Sequence, residues 1–146
     1  MFSSLIALGY FFKRKSMNVF VSIIIKLLRI IYSFQFRFNR EIGKNVLFCY
    51  YGLGVVIHED VAIGSNVTIA QNVTIGGRSQ TGGLPIIGND VYIGAGAIIL
   101  GNIKIGDNSV IGAGSVVISD IPENSVVAGV PAKVIKMDIE NIRDYF

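Results

Sequence analysis

Across the middle of this chain a branched aliphatic residue returns every six positions. The stations are Ile57, Ile63, Ile69, Ile75, Ile87, Ile93, Ile99, Ile105, Ile111 and Val117. The series fails at Thr81, inside a glycine-rich stretch, and resumes in phase at Ile87. A six-residue beat matches neither the 3.6-residue turn of a helix nor the two-residue alternation of a long strand. It predicts a hexapeptide β-solenoid, in which short strands alternate with sharp turns and each coil buries its inward residues on the next.

Three hexads close one coil of a triangular prism, so residues eighteen apart are expected to stack. That spacing predicts one inward column of Ile57, Ile75, Ile93 and Ile111, and a second of Ile69, Ile87 and Ile105. A third holds Ile63, Ile99 and Val117, interrupted at Thr81. Turn formers follow the stations, as in Gly64-Ser65-Asn66, Gly88-Asn89-Asp90 and Gly106-Asp107-Asn108. Gly and Asn tolerate the positive φ that tight corners demand. The stretch from Gly76 to Pro85 departs from the pattern and reads as a loop thrown out of the coil, a favourable place for function on a rigid scaffold.

The expected organisation has three parts. Residues 1–44 form a helical segment, 45–136 the solenoid, and 137–146 a tail read as a short helix capping its open end. On a single helix, Lys15, Asn18, Ser22, Lys26, Arg29, Ser33, Arg37 and Arg40 fall within an arc of about 100°. The remainder of residues 5–40 is largely apolar. Two readings stay open: one helix or two short ones packed on the solenoid or a subunit neighbour, or a helix lying on an anionic membrane surface. Lys26 and Arg29 would lie mid-bilayer in a true span, at about 2.5–3.5 kcal/mol each. No small-residue cleavage pattern follows, so a signal peptide is not indicated.

Composition narrows the function. The net charge is +3, and most of the positive charge precedes position 45. The nearly neutral solenoid argues against a nucleic-acid surface. The chain has one cysteine, Cys49, and one histidine, His58, so no metal is expected and a reducing, cytoplasmic setting is the natural reading.

Four stretches carry a resemblance: Val67–Gly77, Ile93–Ile103, Ile111–Val117 and Ala128–Ile135. Roughly residues 45–136 resemble the hexapeptide-repeat acyltransferases, and among them the serine acetyltransferases and their relatives that O-acetylate polysaccharide sugars. The resemblance implies a left-handed parallel β-helix, although general chirality rules favour right-handed crossovers. It implies a homotrimer with acetyl-CoA in the cleft between neighbours. The cofactor would contact the Gly94-Ala95 and Gly112-Ala113 turns, and Lys133 of the Pro-Ala-Lys ending would meet its phosphates. Gly76, where the loop leaves, joins this cofactor set.

The implied chemistry is attack of a sugar or serine hydroxyl on a thioester, which needs a base to take the proton. The resembled family places histidines where this chain has Tyr51 and Leu84. His58 is therefore the candidate base. At eighteen-residue spacing it shares a corner with Gly76, Gly94 and Gly112, with Glu59 or Asp60 to orient its ring. Tyr51 is the second candidate; a phenol titrates near 10 and is a weak base at neutral pH, but it can donate a hydrogen bond. The expectation is an acetyl-CoA-dependent O-acetyltransferase for a small hydroxyl acceptor. A catalytically silent trimeric scaffold is the alternative.

Overall fold

A computed structural model describes residues 2–36, 42–79 and 82–145. Arg37, Arg40 and Thr81 lie outside the described residues. The chain opens with two helices, α1 (Phe2–Arg14) and α2 (Asn18–Tyr32), packed as a hairpin. The single helix needed for the basic stripe is thus broken at Lys15–Met17, where Ser16 takes a φ of 57°, and ends at Ser33 with a φ of 51°. Asn18, Ser22, Lys26 and Arg29 keep their shared stripe on α2.

The strands then wind through three sheets. The first holds β1 (Leu47–Phe48), β4 (Thr68–Ile69), β7 (Tyr92–Ile93), β10 (Val110–Ile111), β12 (Val126–Gly129) and β13 (Ala132–Lys136). The second holds β2 (Val56–Ile57), β5 (Thr74–Gly76), β8 (Ile98–Leu100) and β11 (Val116–Val117). The third holds β3 (Ala62–Ile63), β6 (Ile86–Ile87) and β9 (Lys104–Ile105). All pairs are parallel except the closing β12–β13 hairpin. The fold is a left-handed parallel β-helix, and every station of the six-residue series is buried. Each such aliphatic stabilises the coil stack by roughly 1.5–3 kcal/mol.

The inward columns differ from the eighteen-residue expectation. The observed columns are Ile57–Ile75–Ile99–Val117, Ile63–Ile87–Ile105–Ile121 and Phe48–Ile69–Ile93–Ile111–Val127. Ile75 and Ile87 are consecutive stations on adjacent sheets, so the loop between them adds one whole hexad to its coil. An insertion of that length preserves the six-residue phase while moving every later residue round by one face. Stacked residues across the loop are therefore 24 apart, as in Ile75↔Ile99.

Two of the corners run through left-handed residues. One corner uses Gly54, Asn72, Gly96 and Gly114; the other uses Asn45, Asn66, Asp90, Asn108 and Asn124. Side chains at the second corner also bond coil to coil. Asn45 Nδ2 donates to Asn66 Oδ1 at 3.1 Å, Asn66 Nδ2 to Asp90 Oδ1 at 3.0 Å, and Asn108 Nδ2 to Asn124 Oδ1 at 2.8 Å. The first coil is closed by an aromatic cluster in which Phe2 and Phe48 each meet Phe34 edge-on, at 5.2 and 5.1 Å. Helix α1 thereby anchors on the solenoid.

The tail does not cap the open end as a helix. After β13 it turns back over the outside of the first sheet and ends in a 3-10 turn, Ile142–Tyr145. Ile139 and Ile142 bury Val110 and Val126, and Asn108 Nδ2 donates to the Ile139 carbonyl at 2.9 Å. The outward side chains of that sheet are apolar here, so the tail covers them rather than the coil end.

Candidate active site

Five of the expected cofactor residues gather at one edge of the prism. The turns Gly94-Ala95 and Gly112-Ala113 lie on successive coils, joined by the Gly94 N–H bond to the Ile111 carbonyl at 2.8 Å. The crowding explains the residue types. A Cβ on Gly94 would stand 2.6 Å from the Ala113 nitrogen, and one on Gly112 would stand 3.1 Å from the Ala128 Cβ. Gly114 is left-handed, and added side-chain atoms there would meet open space. The edge is thus flat backbone with small side chains. Lys133 is exposed on β13 directly opposite Ala128, which continues the Gly94–Gly112 column.

His58 and Gly76 lie at a different corner. His58 donates its backbone N–H to the Ile75 carbonyl at 2.9 Å, and the register runs on from Gly76 to Leu100. The expected stacking of His58 over Gly94 and Gly112 is therefore corrected: the extra hexad rotates those glycines to the next corner. His58, Glu59, Thr74, Gly76, Gly77 and Leu100 line an open cavity of about 410 Å³ beside the loop exit. A Cβ on Gly76 would meet nothing within 4 Å, so packing does not require glycine there.

The ring of His58 is exposed, and its Nδ1 accepts the Asp60 backbone N–H at 3.3 Å. It is the Asp60 backbone, rather than its carboxylate, that meets Nδ1. A neutral imidazole held this way carries its proton on Nε2 and presents that atom as a donor. Accepting a substrate proton requires Nδ1 to release this long bond.

Tyr51 lies elsewhere, in the 3-10 turn Cys49–Gly52 on the first coil. Tyr50 and Tyr51 both adopt left-handed angles, with φ of 48° and 57°, and both are exposed. Such angles cost roughly 1–3 kcal/mol per non-glycine residue and persist where surrounding packing enforces them. The Tyr51 ring stands 5.9 Å from Tyr32 and 6.5 Å from Phe2. It lines an apolar cavity of about 400 Å³ under α1, separate from that of His58. Leu84, the second position where the family has histidine, is half-buried against the core.

Sequence reasoning missed Tyr92. Burial raises its phenol above the usual 10.0, reinforced by Cys49 and then Tyr50. β1, β4 and β7 are successive neighbours in the first sheet, which puts Cys49 and Tyr50 two coils from Tyr92, a relation hidden by the 24-residue spacing. A groove of about 590 Å³ between the Asn45–Asn66–Asp90–Asn108 corner and the returning tail was missed as well. Its signal in the sequence is the recurrent Asn or Asp two residues after each glycine of that corner.

The repeat, the three sheets and the small-residue edge define a hexapeptide-repeat protein, and the model of the bacterial transferase hexapeptide (six repeats) matches residues 85–119. Within that class the chain is similar to serine acetyltransferases. It is 40% identical over 135 residues to the enzyme of Staphylococcus xylosus, covering 91% of this chain and 62% of that one. The serine acetyltransferase of Brucella abortus, solved in complex with coenzyme A, superposes with a TM-score of 0.83 at 33% identity, over 92% of this chain and 54% of that one. The soybean serine acetyltransferase complexed with serine gives 0.77 at 39% identity, over 87% and 53%. The chain spans 46–62% of the length of the curated relatives it matches.

Proposed function

We propose that the protein is an acetyl-CoA-dependent O-acetyltransferase for a small hydroxyl acceptor, either serine or a sugar of a polysaccharide precursor. The observation that carries this reading is the flat edge of Gly94, Ala95, Gly112 and Ala113, with Lys133 beside its last column, in a chain similar to an enzyme solved with coenzyme A. Close backbone approach suits an extended pantetheine arm, and a nearby ammonium suits its phosphates. The working unit is a homotrimer, with the donor in the cleft between neighbours, and an acetyl-CoA donor fits a cytoplasmic protein.

In the reaction the acceptor oxygen attacks the thioester carbonyl. Its proton passes to the base, the C–S bond breaks, and the departing thiolate takes a proton back. Backbone N–H groups of the turns stabilise the oxyanion. His58 is the assigned base; because it lies at a different corner from the Gly94–Gly112 edge of its own chain, it serves a donor held on the edge of a neighbouring subunit, and it is freed from the Asp60 N–H when the acceptor enters beside Gly76. Tyr51 lies across the first coil and serves as a hydrogen-bond donor.

Calorimetric titration with acetyl-CoA, followed by thiol release with serine and a panel of sugars, tests this reading. No binding at millimolar cofactor overturns it. Binding without thiol release favours the silent scaffold, a reading motivated by Tyr51 and Leu84 at the family's histidine positions. His58→Ala is expected to lower kcat by about 10²–10⁴-fold, and Tyr51→Phe to retain most of it. Full activity in His58→Ala would remove the assignment.

A further inference from the structure

Helix α2 sorts its side chains into three arcs. Val21, Ile24 and Leu28 are buried in the core shared with the solenoid. Asn18, Ser22, Lys26 and Arg29 form an exposed polar arc beside them. The third arc, about 120° wide at 100° per residue, holds Val19, Phe20, Ile23, Leu27, Ile30 and Ile31. All six are exposed, and Ile30 reaches 80%. A contiguous apolar face of this kind on a helix already packed on its other side marks an interaction surface.

Charge identifies the partner. Residues 2–36 contain Lys13, Arg14, Lys15, Lys26 and Arg29 and no Asp or Glu. Lys13, Arg14 and Lys15 cluster at the hairpin tip with exposed Phe11 and Met17, and the Phe12–Phe20 stack at 5.0 Å ties the two helices there. A second copy of the hairpin laid on this face would bring cations against cations with no helical carboxylate to pair them. An anionic lipid surface satisfies both features: the apolar arc enters the acyl boundary while Lys26, Arg29 and the tip cations meet headgroup phosphates. Among the described residues no helix is long and apolar enough to cross a membrane, which leaves an in-plane contact.

We infer that the α1–α2 hairpin docks the protein on an anionic membrane surface through the outer apolar face of α2. The test is sedimentation of the full chain with phosphatidylcholine vesicles, with and without phosphatidylglycerol. Binding is expected to the anionic vesicles and to fall with added salt. Lys26→Glu with Arg29→Glu is expected to weaken it by roughly tenfold or more. Ile23→Glu with Ile30→Glu, at exposed positions, is expected to weaken it comparably while leaving the circular dichroism spectrum unchanged. No binding by the wild type, equal binding to both vesicles, or binding unaffected by the charge reversals overturns the proposal. So does a fall in oligomer mass for the Ile23/Ile30 variant together with a wild type that ignores vesicles, because the face is then a contact between copies.

Discussion

Glycine has different reasons to be present at different positions of the turns, and substitution separates them. Gly94→Ala drives a Cβ against the backbone of the next coil and is expected to cost about 1–3 kcal/mol. Gly114→Ala meets no neighbour but holds a left-handed φ of 67°, so it is expected to cost about 1–2 kcal/mol. Gly76→Ala has neither problem and should stay within about 0.5 kcal/mol of wild type. Urea midpoints check all three. A loss of thiol release in Gly76→Ala at unchanged midpoint would then report on the acceptor side of the His58 cavity.

Tyr92 gives a pH prediction at the same scale. Its folded-state pKa is raised above 10.0, chiefly by burial, so the folded chain holds the proton where the unfolded chain has lost it. The contribution is fully present below pH 10.0 and is lost as pH climbs from there through the folded value. Denaturant midpoints measured on either side of that pH should fall on the alkaline side, and Tyr92→Phe should flatten the fall.

Among the elements, the loop after β5 has the largest structural effect. Removing residues 78–83 deletes one hexad and leaves Ile75 and Ile87 six apart, as at the equivalent corner between Ile57 and Ile63. Loop length enters stability only logarithmically, so the shortened chain is expected to fold with a change of less than about 1 kcal/mol. The deleted residues follow directly on Gly76 and Gly77, which line the His58 cavity, and the same deletion is expected to abolish acetyl transfer. Parallel measurement of unfolding and thiol release separates the two effects. The strands themselves are two to five residues long and have little independent preference; the corners and the coil beneath hold them in place.

For the whole molecule, the proposed cleft between subunits links donor binding to assembly. A ligand held at a hundred times its dissociation constant stabilises the native state by about 2.7 kcal/mol. Coenzyme A is expected to raise the unfolding midpoint accordingly, and Lys133→Ala to reduce that rise with little effect on the cofactor-free midpoint, since the side chain is exposed. Light scattering is expected to give the mass of three chains. A monomer with intact coenzyme A binding would refute the inter-subunit cleft.

The sequence by itself determined the class of fold, the buried stations and the small-residue turns, because a six-residue period is a local property and survives any insertion of whole hexads. Tertiary structure alone decided which residues meet. The stretch from Gly76 to Pro85 reads as a loop in the sequence, but the phase of the repeat does not tell whether that loop takes up a whole hexad. The register shows that it does, and so Gly94 and Gly112 leave the corner of His58 while joining the column of Ala128 beside Lys133. The helical hairpin and the returning tail were likewise beyond periodicity. Ser16 and Ser33 break the basic stripe through backbone conformation, and the tail follows the apolar outer face that Val110 and Val126 present only after the coils have stacked.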